Sequence, residues 1–373
     1  MREGWEYKTI EKCTSIEYGT RVVQKRDGGT IYPVYGGGGE TFRMDRYNRE
    51  DCLIIARFAM SPRCVRYVAG KFFLNDSGLS VKSKEELEQA YLNYHLLFFN
   101  DVIYHLGKGA AQRNLDVKAF RQLVIAIPPK STQLSIVSEL DKLNELIRIK
   151  KEQLKDYDTL AQSIFYEMFG DPVENEKGWK VKKLGELCSK IGSGATPRGG
   201  NESYKDEGIS LIRSLNVYNN EFRRKDLAYI DDEQAAALSN VTILEDDVLL
   251  NITGASVARC CIVPSDLLPA RVNQHVCIIR PLDNVLVPIF LNKVLTNISY
   301  QIRLLALARS KGATREALPK SVVDSLLIPL PPLPLQHSFA QKIEQIEQQK
   351  AAIQKTITDL ETLLAARIQY WFD

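Results

Sequence analysis

The longest regular pattern in the chain is a heptad repeat of apolar positions, which occurs in two separate stretches. Residues 131–169 and 335–373 contain neither proline nor glycine. In the first stretch the two seam positions hold Ile136, Leu143, Lys150, Tyr157 and Ile164, and Leu140, Ile147, Leu154, Ala161 and Met168. In the second they hold Phe339, Ile346, Ile353, Leu360 and Arg367, and Ile343, Lys350, Ile357, Leu364 and Trp371. Two such matched stripes predict long helices that pair as a coiled coil, because each then buries its apolar face.

The chain is an internal duplication. Residues 4–14 (GWEYKTIEKCT) resemble residues 178–189 (GWKVKKLGELCS), and a Lys-Gly-Ala segment occurs at Lys108 and again at Lys311. Pro128 and Pro331, and Gln133 and Gln336, lie 203 residues apart, whereas the two Gly-Trp openings are only 174 apart. The second copy therefore contains 29 more residues inside its body.

The body of each copy is predicted to be mixed α and β. Residues 52–58 and 247–253 are short β-type runs, and residues 85–106 and 287–308 have helical character. We therefore predict an α/β mixed (α+β) fold with two similar domains, at residues 1–130 and 172–334. The long helices occupy residues 131–171 and 335–373.

Composition and charge narrow the class of protein. The 373 residues are 45% apolar and 25% charged, which is typical of a globular protein. No uninterrupted apolar run approaches the roughly 18 residues of a membrane span, and residues 1–8 contain no apolar segment of a secretory signal. With seven scattered cysteines and no Cys-x-x-Cys pair, we expect a cytoplasmic protein. The net charge is +5 for residues 1–130, −3 for 131–171, +2 for 172–334 and −1 for 335–373.

The sequence contains no catalytic or metal-binding motif that we could identify. Neither Gly36–Gly39 nor Gly194–Gly199 continues into a phosphate-binding loop, and a surface turn is the better interpretation of both. The four histidines form no His-Glu-x-x-His site, and there is no Gly-x-Ser-x-Gly elbow. No Asn/Asp-Pro-Pro-aromatic motif of an amino-methyltransferase is present either.

The polar loops provide the candidate binding residues. Most exposed arginines are only solvated, but as a set these donors suit phosphate oxygens, and Arg, Asn and Gln suit base edges. The candidates in the first copy are Arg43, Arg46, Arg63, Lys108 and Arg113. Those in the second copy are Thr196, Arg198, Arg213, Asn216, Asn251, Thr253, Asn273, Gln274, Lys311 and Arg315. Lys108 and Lys311 are the best single candidates, because both copies keep the Lys-Gly-Ala segment.

The order of motifs over nearly the whole chain resembles the specificity subunit of Type I restriction-modification systems. The motifs are Gly178-Trp179, Gly194-Ala-Thr-Pro197, Asp246-Asp-Val-Leu249 with Thr253-Gly254, Lys311-Gly-Ala-Thr-Arg-Glu-Ala-Leu318 and Ile328-Pro-Leu-Pro-Pro-Leu-Pro-Leu-Gln336. The first copy departs from this set, since it lacks the Thr-Pro loop and has Ile127-Pro-Pro-Lys130 in place of Pro-x-Pro-Pro.

This resemblance implies two target recognition domains and helices that pair antiparallel about a pseudo-two-fold axis. Each domain is then expected to read one half of a bipartite double-stranded DNA target. The target should be asymmetric, because the polar loops of the two copies differ. The resemblance also implies that the chain is not an enzyme and binds no cofactor itself. Two modification subunits use S-adenosylmethionine to methylate adenine, and restriction subunits use ATP and Mg.

Two other functions stay open at this level. The chain is a coiled-coil scaffold if its two domains bind protein partners, and DNA binding that weakens steeply with salt would argue against this. It is a self-sufficient nuclease or methyltransferase if the purified chain alone shows turnover.

Overall fold

The computed structural model describes residues 2–110, 112–309 and 316–373. It divides into two compact units. Unit 1 comprises Met1–Glu152 with Gln354–Asp373, and unit 2 comprises Gln153–Ile353. Each unit thus combines one α/β body with segments of both long helices. Among the described residues, no helix combines the length and apolar composition that a membrane span requires.

Unit 1 contains a six-stranded sheet together with separate two-stranded ladders. Its strands are β1 (Glu6–Thr9), β2 (Thr14–Tyr18), β3 (Tyr32–Gly36), β4 (Gly39–Met44), β5 (Arg49–Ala56), β6 (Val65–Leu74), β7 (Gly78–Ser83), β8 (Gly107–Lys108), β9 (Asn114–Leu115) and β10 (Val124–Ile127). Its helices are α1 (Ile10–Cys13), α2 (Gln24–Asp27), α3 (Gln89–Phe98), α4 (Asn100–His105) and α5 (Val117–Gln122). The sheet order is β2-β7-β5-β6-β3-β4, and β1-β10 and β8-β9 form separate ladders. The first long helix, α6 (Lys130–Phe169), starts in unit 1.

Unit 2 divides its strands between smaller sheets. Its strands are β11 (Lys180–Lys183), β12 (Cys188–Ser193), β13 (Ile209–Ile212), β14 (Val217–Tyr218), β15 (Glu221–Phe222), β16 (Ala228–Ile230), β17 (Val248–Asn251), β18 (Cys260–Ile262), β19 (Ala270–Val272), β20 (Val276–Pro281) and β21 (Leu327–Leu330). Its helices are α7 (Asp232–Ala237), α8 (Pro288–Thr296), α9 (Ile298–Arg309) and α10 (Lys320–Asp324), and the second long helix is α11 (Leu333–Phe372). The sheet orders are β12-β20-β17-β18 and β16-β13-β19, and the ladders are β11-β21 and β14-β15.

The two units repeat the same connection between body and helix. In unit 1 the opening strand β1 pairs antiparallel with β10, and in unit 2 β11 pairs antiparallel with β21. A fully buried glutamine follows each ladder, Gln133 in α6 and Gln336 in α11. The side chain of Gln133 accepts from Glu88 N at 2.8 Å and donates to the carbonyl oxygens of Pro128 at 2.9 Å and Glu86 at 3.0 Å.

Gln336 makes the same three bonds in unit 2. It accepts from Val287 N at 2.9 Å and donates to Pro331 O at 2.9 Å and Val285 O at 3.3 Å. In each unit one amide side chain at the start of the long helix thus binds two other segments. One is the end of the last body strand, and the other is the segment that leads into α3 in unit 1 or α8 in unit 2. The internal repeat predicted from the sequence is confirmed.

Within each unit the segments of α6 and α11 run antiparallel. In unit 1 the Glu139 carboxylate accepts from both Arg367 and Trp371, and Lys151 pairs with Glu361 at 2.7 Å. In unit 2 Lys350 pairs with Asp158 at 2.8 Å, and the ring centroids of Phe165 and Phe339 lie 5.7 Å apart. Residue numbers therefore rise along one helix as they fall along the other, and the predicted mixed fold with paired long helices is confirmed.

The last turn of each long helix completes a body core. Phe169 at the end of α6 packs against Phe290 and Phe339 in unit 2, with ring centroids 4.8 Å and 5.2 Å away. Phe372 at the end of α11 packs against Tyr91 in unit 1 at 5.2 Å. The apolar stripe of each helix consequently contributes to both cores, which explains why the heptad pattern continues from Ile136 to Met168 in α6 and from Phe339 to Trp371 in α11.

Two predicted elements differ from the observed ones. Residues 85–106 and 287–308 were each expected to form one helix, but each contains two, interrupted at Phe99 and at Asn297. Asn297 has an extended backbone, and its side chain accepts from Ser299 N at 3.0 Å. It therefore caps the start of α9, as asparagine does at helix N-termini.

We predict that Gln336→Met lowers the free energy of unfolding by about 2–4 kcal/mol, because the thioether keeps the volume but leaves the buried Val287 N–H and two carbonyl oxygens without partners. Chemical denaturation measures the change. Gln341→Met, on the exposed surface of the same helix, is the matched control and should stay within about 0.5 kcal/mol of the unsubstituted chain. Equal losses in both variants would contradict the role given to Gln336.

We also predict a pH dependence of stability from His95, which is buried in unit 1 with its ring 4.6 Å from Phe99 and 4.9 Å from Phe372. Burial lowers its pKa to about 4. The folded pKa lies below the ordinary value near 6.5, so burial of the neutral ring contributes its full stability above pH 6.5. This contribution is lost as the pH falls from 6.5 towards 4, because the unfolded chain then binds a proton that the folded chain does not. Because of this group, the free energy of unfolding should be about 2 kcal/mol lower at pH 5 than at pH 7.

His95→Gln tests this assignment, because glutamine keeps an acceptor for Ala126 N, which His95 Nε2 binds at 3.2 Å, but does not titrate in this range. Its stability should change less between pH 7 and pH 5. His105→Gln, at an exposed position, should keep the full dependence. The assignment fails if the His95 variant retains the unsubstituted profile.

Candidate nucleic-acid interface

Three loops of unit 2 bring polar side chains into one hydrogen-bonded row. The Thr196 hydroxyl donates to Gln274 Oε1, and Gln274 Nε2 lies 3.5 Å from His275 Nε2. The other ring nitrogen of His275 lies 2.7 Å from the Thr253 hydroxyl. When His275 accepts from Gln274, its Nδ1–H donates to Thr253 and leaves the threonine hydroxyl hydrogen free for a ligand. Of the sequence candidates, Thr196, Thr253 and Gln274 are therefore brought together.

The loops of this row are fixed by backbone contacts. Gly194 follows β12, donates its N–H to Val276 O at 2.9 Å, and lies so close to the chain after β19 that a Cβ would overlap the carbonyl oxygens of Val272 and Asn273. In the loop that carries Thr253, the next residue, Gly254, donates its N–H to Glu316 O at 3.0 Å. The close approach at position 194 requires glycine there and so explains the glycine of the Gly-x-Thr-Pro sequence.

Neither Arg198 nor Arg213 is hydrogen-bonded to this row among the described residues. Arg198 is exposed, two residues beyond Thr196. Arg213 is half-buried, with its guanidinium 5.4 Å from the Tyr204 ring and one terminal nitrogen donating to the carbonyl of Asp226. The candidates Lys311 and Arg315 lie outside the described residues.

Three asparagines that the sequence suggested as base-reading residues have a different place in the structure. Asn216 is fully buried and donates to Arg223 O at 2.8 Å, and Asn251 is fully buried and donates to Ser214 O at 2.8 Å. Asn273 is 6% exposed and accepts from His275 N at 3.1 Å. Because these amides satisfy backbone groups inside unit 2, we remove them from the candidate interface.

In unit 1, Lys108 and Arg113 lie close to the loop after β5. Their β8-β9 ladder meets this loop through Met60 N, which donates to Arg113 O at 2.8 Å. Lys108 pairs with Asp116 at 2.5 Å and lowers the pKa of that carboxyl. Arg113 donates to Gly107 O at 3.1 Å and lies over the Tyr104 ring at 4.6 Å.

The other three candidates of unit 1 are exposed. Arg43, in the edge strand β4, donates to Ile31 O at 2.9 Å, and Arg46 lies 3.9 Å from Asp27. Arg63 follows β5, and the described residues give it no ion pair or hydrogen-bond partner. Among the described residues, no contact joins Arg43 or Arg46 to Lys108 or Arg113.

Two side chains outside the candidate set given above also lie on these surfaces. His275 links Gln274 to Thr253, and its position beside a candidate was the only available signal. Arg57 lies between Tyr18 and Phe58, 4.9 Å and 4.5 Å from their ring centroids, and has no carboxylate partner among the described residues. A guanidinium held by aromatic rings keeps its donors in a fixed plane. Among the described residues, no group of His, Cys, Asp and Glu side chains could hold a metal ion.

Comparison with known proteins identifies one family. The family model described as the Type I restriction modification DNA specificity domain matches residues 3–156 and 176–362. The type I restriction enzyme specificity subunit named MjaX, from Methanocaldococcus jannaschii, is 24% identical over 288 residues, which are 71% of this chain and 63% of that protein. The specificity subunit S.HindORF215P of Haemophilus influenzae is 25% identical over 360 residues, 92% of this chain and 87% of that protein.

A solved structure has the same fold. The crystal structure of a Type-I restriction-modification system S subunit from M. genitalium aligns with a TM-score of 0.60 and 16% identity, covering 99% of this chain and 96% of that one. At this identity the likeness concerns the fold alone.

We predict that Gly194→Ala destabilises unit 2 by about 1–3 kcal/mol, because the new methyl group must displace the chain at Val272 and Asn273. Gly192→Ala, two residues earlier in β12, is the matched control, since a Cβ there has nothing within 4 Å. Thermal or chemical unfolding of both variants measures the difference. A control as destabilised as Gly194→Ala would contradict the close approach to Val272 and Asn273 as the cause.

Proposed function

The chain belongs to the family of Type I restriction-modification DNA specificity domains, and on this premise we propose that it is the sequence-specific DNA-binding subunit of such a system. It reads a bipartite, asymmetric double-stranded target, with one half-site for each unit. By binding there, the chain directs the adenine methyltransferase and restriction subunits to that target.

The observation that carries this proposal is one framework with two different sets of donors. Both units repeat the strand ladder and the buried glutamine that join body to helix. Unit 2 presents the hydroxyls and amide of Thr196, Thr253 and Gln274, whereas unit 1 presents the guanidinium of Arg57. Amide and guanidinium groups of this kind recognise base edges and phosphates. Two different donor sets on equivalent bodies suit two different half-sites.

On the same premise the chain has no catalytic centre and binds no cofactor of its own. Two modification subunits supply S-adenosylmethionine chemistry, and restriction subunits supply ATP, Mg and DNA cleavage. The acidic stretches 131–171 and 335–373, with charges of −3 and −1, are less suited than the basic bodies to lie on phosphates. The long helices are accordingly the better surface for the partner subunits. The family match favours DNA over protein partners for the two bodies.

The test is to co-express the chain with its cognate modification subunit in a host without adenine methylation and to map methylated adenines across the genome. We expect one motif with two unlike half-sites separated by unread base pairs. Thr196→Val with Gln274→Ala should relax one half-site, and Arg57→Gln should relax the other. Each lost base contact should cost about 1–3 kcal/mol of discrimination.

Arg224→Gln is the control, because the Arg224 guanidinium is already held by both oxygens of Asp266, at 2.8 Å and 2.7 Å. It should leave the motif unchanged. Identical half-sites would refute the asymmetric assignment, and methylation without any motif would refute sequence reading. Adenine methylation by the chain alone would revive the enzyme alternative.

A further inference from the structure

One aromatic ring of unit 2 carries two arginines whose surroundings differ. Tyr218 ends β14, and its ring centroid lies 3.6 Å from the Arg223 guanidinium carbon and 4.3 Å from that of Arg259. Arg223 donates to both carboxylate oxygens of Glu221, each at 2.9 Å. The guanidinium of Arg259 has no hydrogen-bond acceptor and no carboxylate partner among the described residues. The bidentate edge of the Arg223 guanidinium is therefore occupied, whereas the Arg259 guanidinium meets no acceptor in the described part of the chain.

Asn251, which is buried, binds both the backbone of Arg259 and the segment that leads into Tyr218. Asn251 donates through its side chain to Ser214 O at 2.8 Å, just before β14, and through its backbone N–H to Arg259 O at 2.8 Å. Nearby, the Asn219 side chain accepts from Cys260 N at 3.1 Å. The ring and the guanidinium are thus held in register by the core, so a ligand meets a donor fork that is already ordered.

Arg259 lines a cavity of about 530 Å³ whose other charged groups are occupied. The carboxylate of Glu316 in its wall accepts from Arg309 at 2.7 Å. His275 and Thr253, also in the wall, are hydrogen-bonded to each other. These two side chains belong to the polar row that continues to Gln274 and Thr196. The cavity therefore adjoins the candidate interface and contributes one uncompensated positive charge to it.

We propose that Arg259 makes a bidentate contact with the DNA half-site of unit 2, a contact that the family assignment does not identify. A planar guanidinium with free donors matches two adjacent acceptors, which DNA offers as the O6 and N7 atoms of guanine or as two phosphate oxygens. This inference rests on the proposed function, because it requires that unit 2 binds DNA. An acidic protein segment is the competing ligand.

The experiment selects duplexes from a randomised library with the full chain and then measures binding of the selected duplex as a function of salt. Arg259→Gln should weaken binding about 5- to 150-fold, the range of one lost bidentate contact. Arg223→Gln is the matched control on the same ring and should change binding less than about threefold, because the Nε and Nη2 edge of Arg223 already binds the Glu221 carboxylate. Arg259→Lys keeps an aliphatic side chain and the positive charge but removes the planar guanidinium. Circular dichroism checks that each variant is folded.

The pattern of the loss distinguishes the two sources of the acceptor pair. A guanine contact appears as relaxed preference at one position of the selected motif, with Arg259→Lys nearly as impaired as Arg259→Gln. A phosphate contact appears as uniform weakening over all sequences, a salt slope smaller by about one, and recovery by Arg259→Lys.

Other outcomes overturn the inference. If the unsubstituted chain selects a motif and Arg259→Gln binds it as Arg223→Gln does, the inference alone fails. If Arg259→Gln binds DNA normally but no longer associates with the modification subunit, the cavity holds an acidic protein segment instead. If the unsubstituted chain selects no motif, the proposed function fails and this inference fails with it.

Discussion

Each body is attached to its long helix through one buried amide. Gln133 and Gln336 each bind one backbone N–H and two carbonyl oxygens, and both are completely removed from solvent. A buried backbone group without a partner costs free energy, so the position of the strand exit, the helix start and the next body segment cannot vary independently. The start of the long helix is thus set by hydrogen bonds, whereas its pairing along the stripe is set by apolar burial. The two constraints act at different places on the same helix.

The motifs that make the chain recognisable serve this framework. Asp247 of the Asp-Asp-Val-Leu motif is fully buried, where both of its carboxylate oxygens accept from Arg280 at 2.7 Å. The indole N–H of Trp179, in the Gly-Trp motif, donates to Phe169 O at 2.9 Å and so ties the opening of the second copy to the end of α6. Since these bonds are internal to unit 2, they impose no requirement on what its loops bind.

Patterns of burial could be predicted from the sequence, but the roles of individual polar side chains could not. The heptad stripe predicted two long paired helices, which are observed as α6 and α11, because periodic apolar burial leaves a trace in the order of residues. Asn216 and Gln274 are both amides in polar loops, yet one satisfies backbone groups in the core and the other is exposed. Only tertiary contacts distinguish them. The breaks at Phe99 and Asn297 were missed for a similar reason, since neither is a glycine or proline.

The separation of framework from loops also explains how one unit can diverge from the other without losing its fold. The side chains of the polar row and the guanidinium of Arg57 contribute to neither ladder and to neither buried glutamine. Exchanging such groups changes hydrogen-bond donors at a surface, which usually alters stability by less than about 0.5 kcal/mol. Exchanging Gln336 or Asp247 instead leaves buried hydrogen-bonding groups without a partner. Substitutions are therefore cheap where a ligand is recognised and costly where the helix is attached, so recognition can change while the attachment of the bodies stays constant.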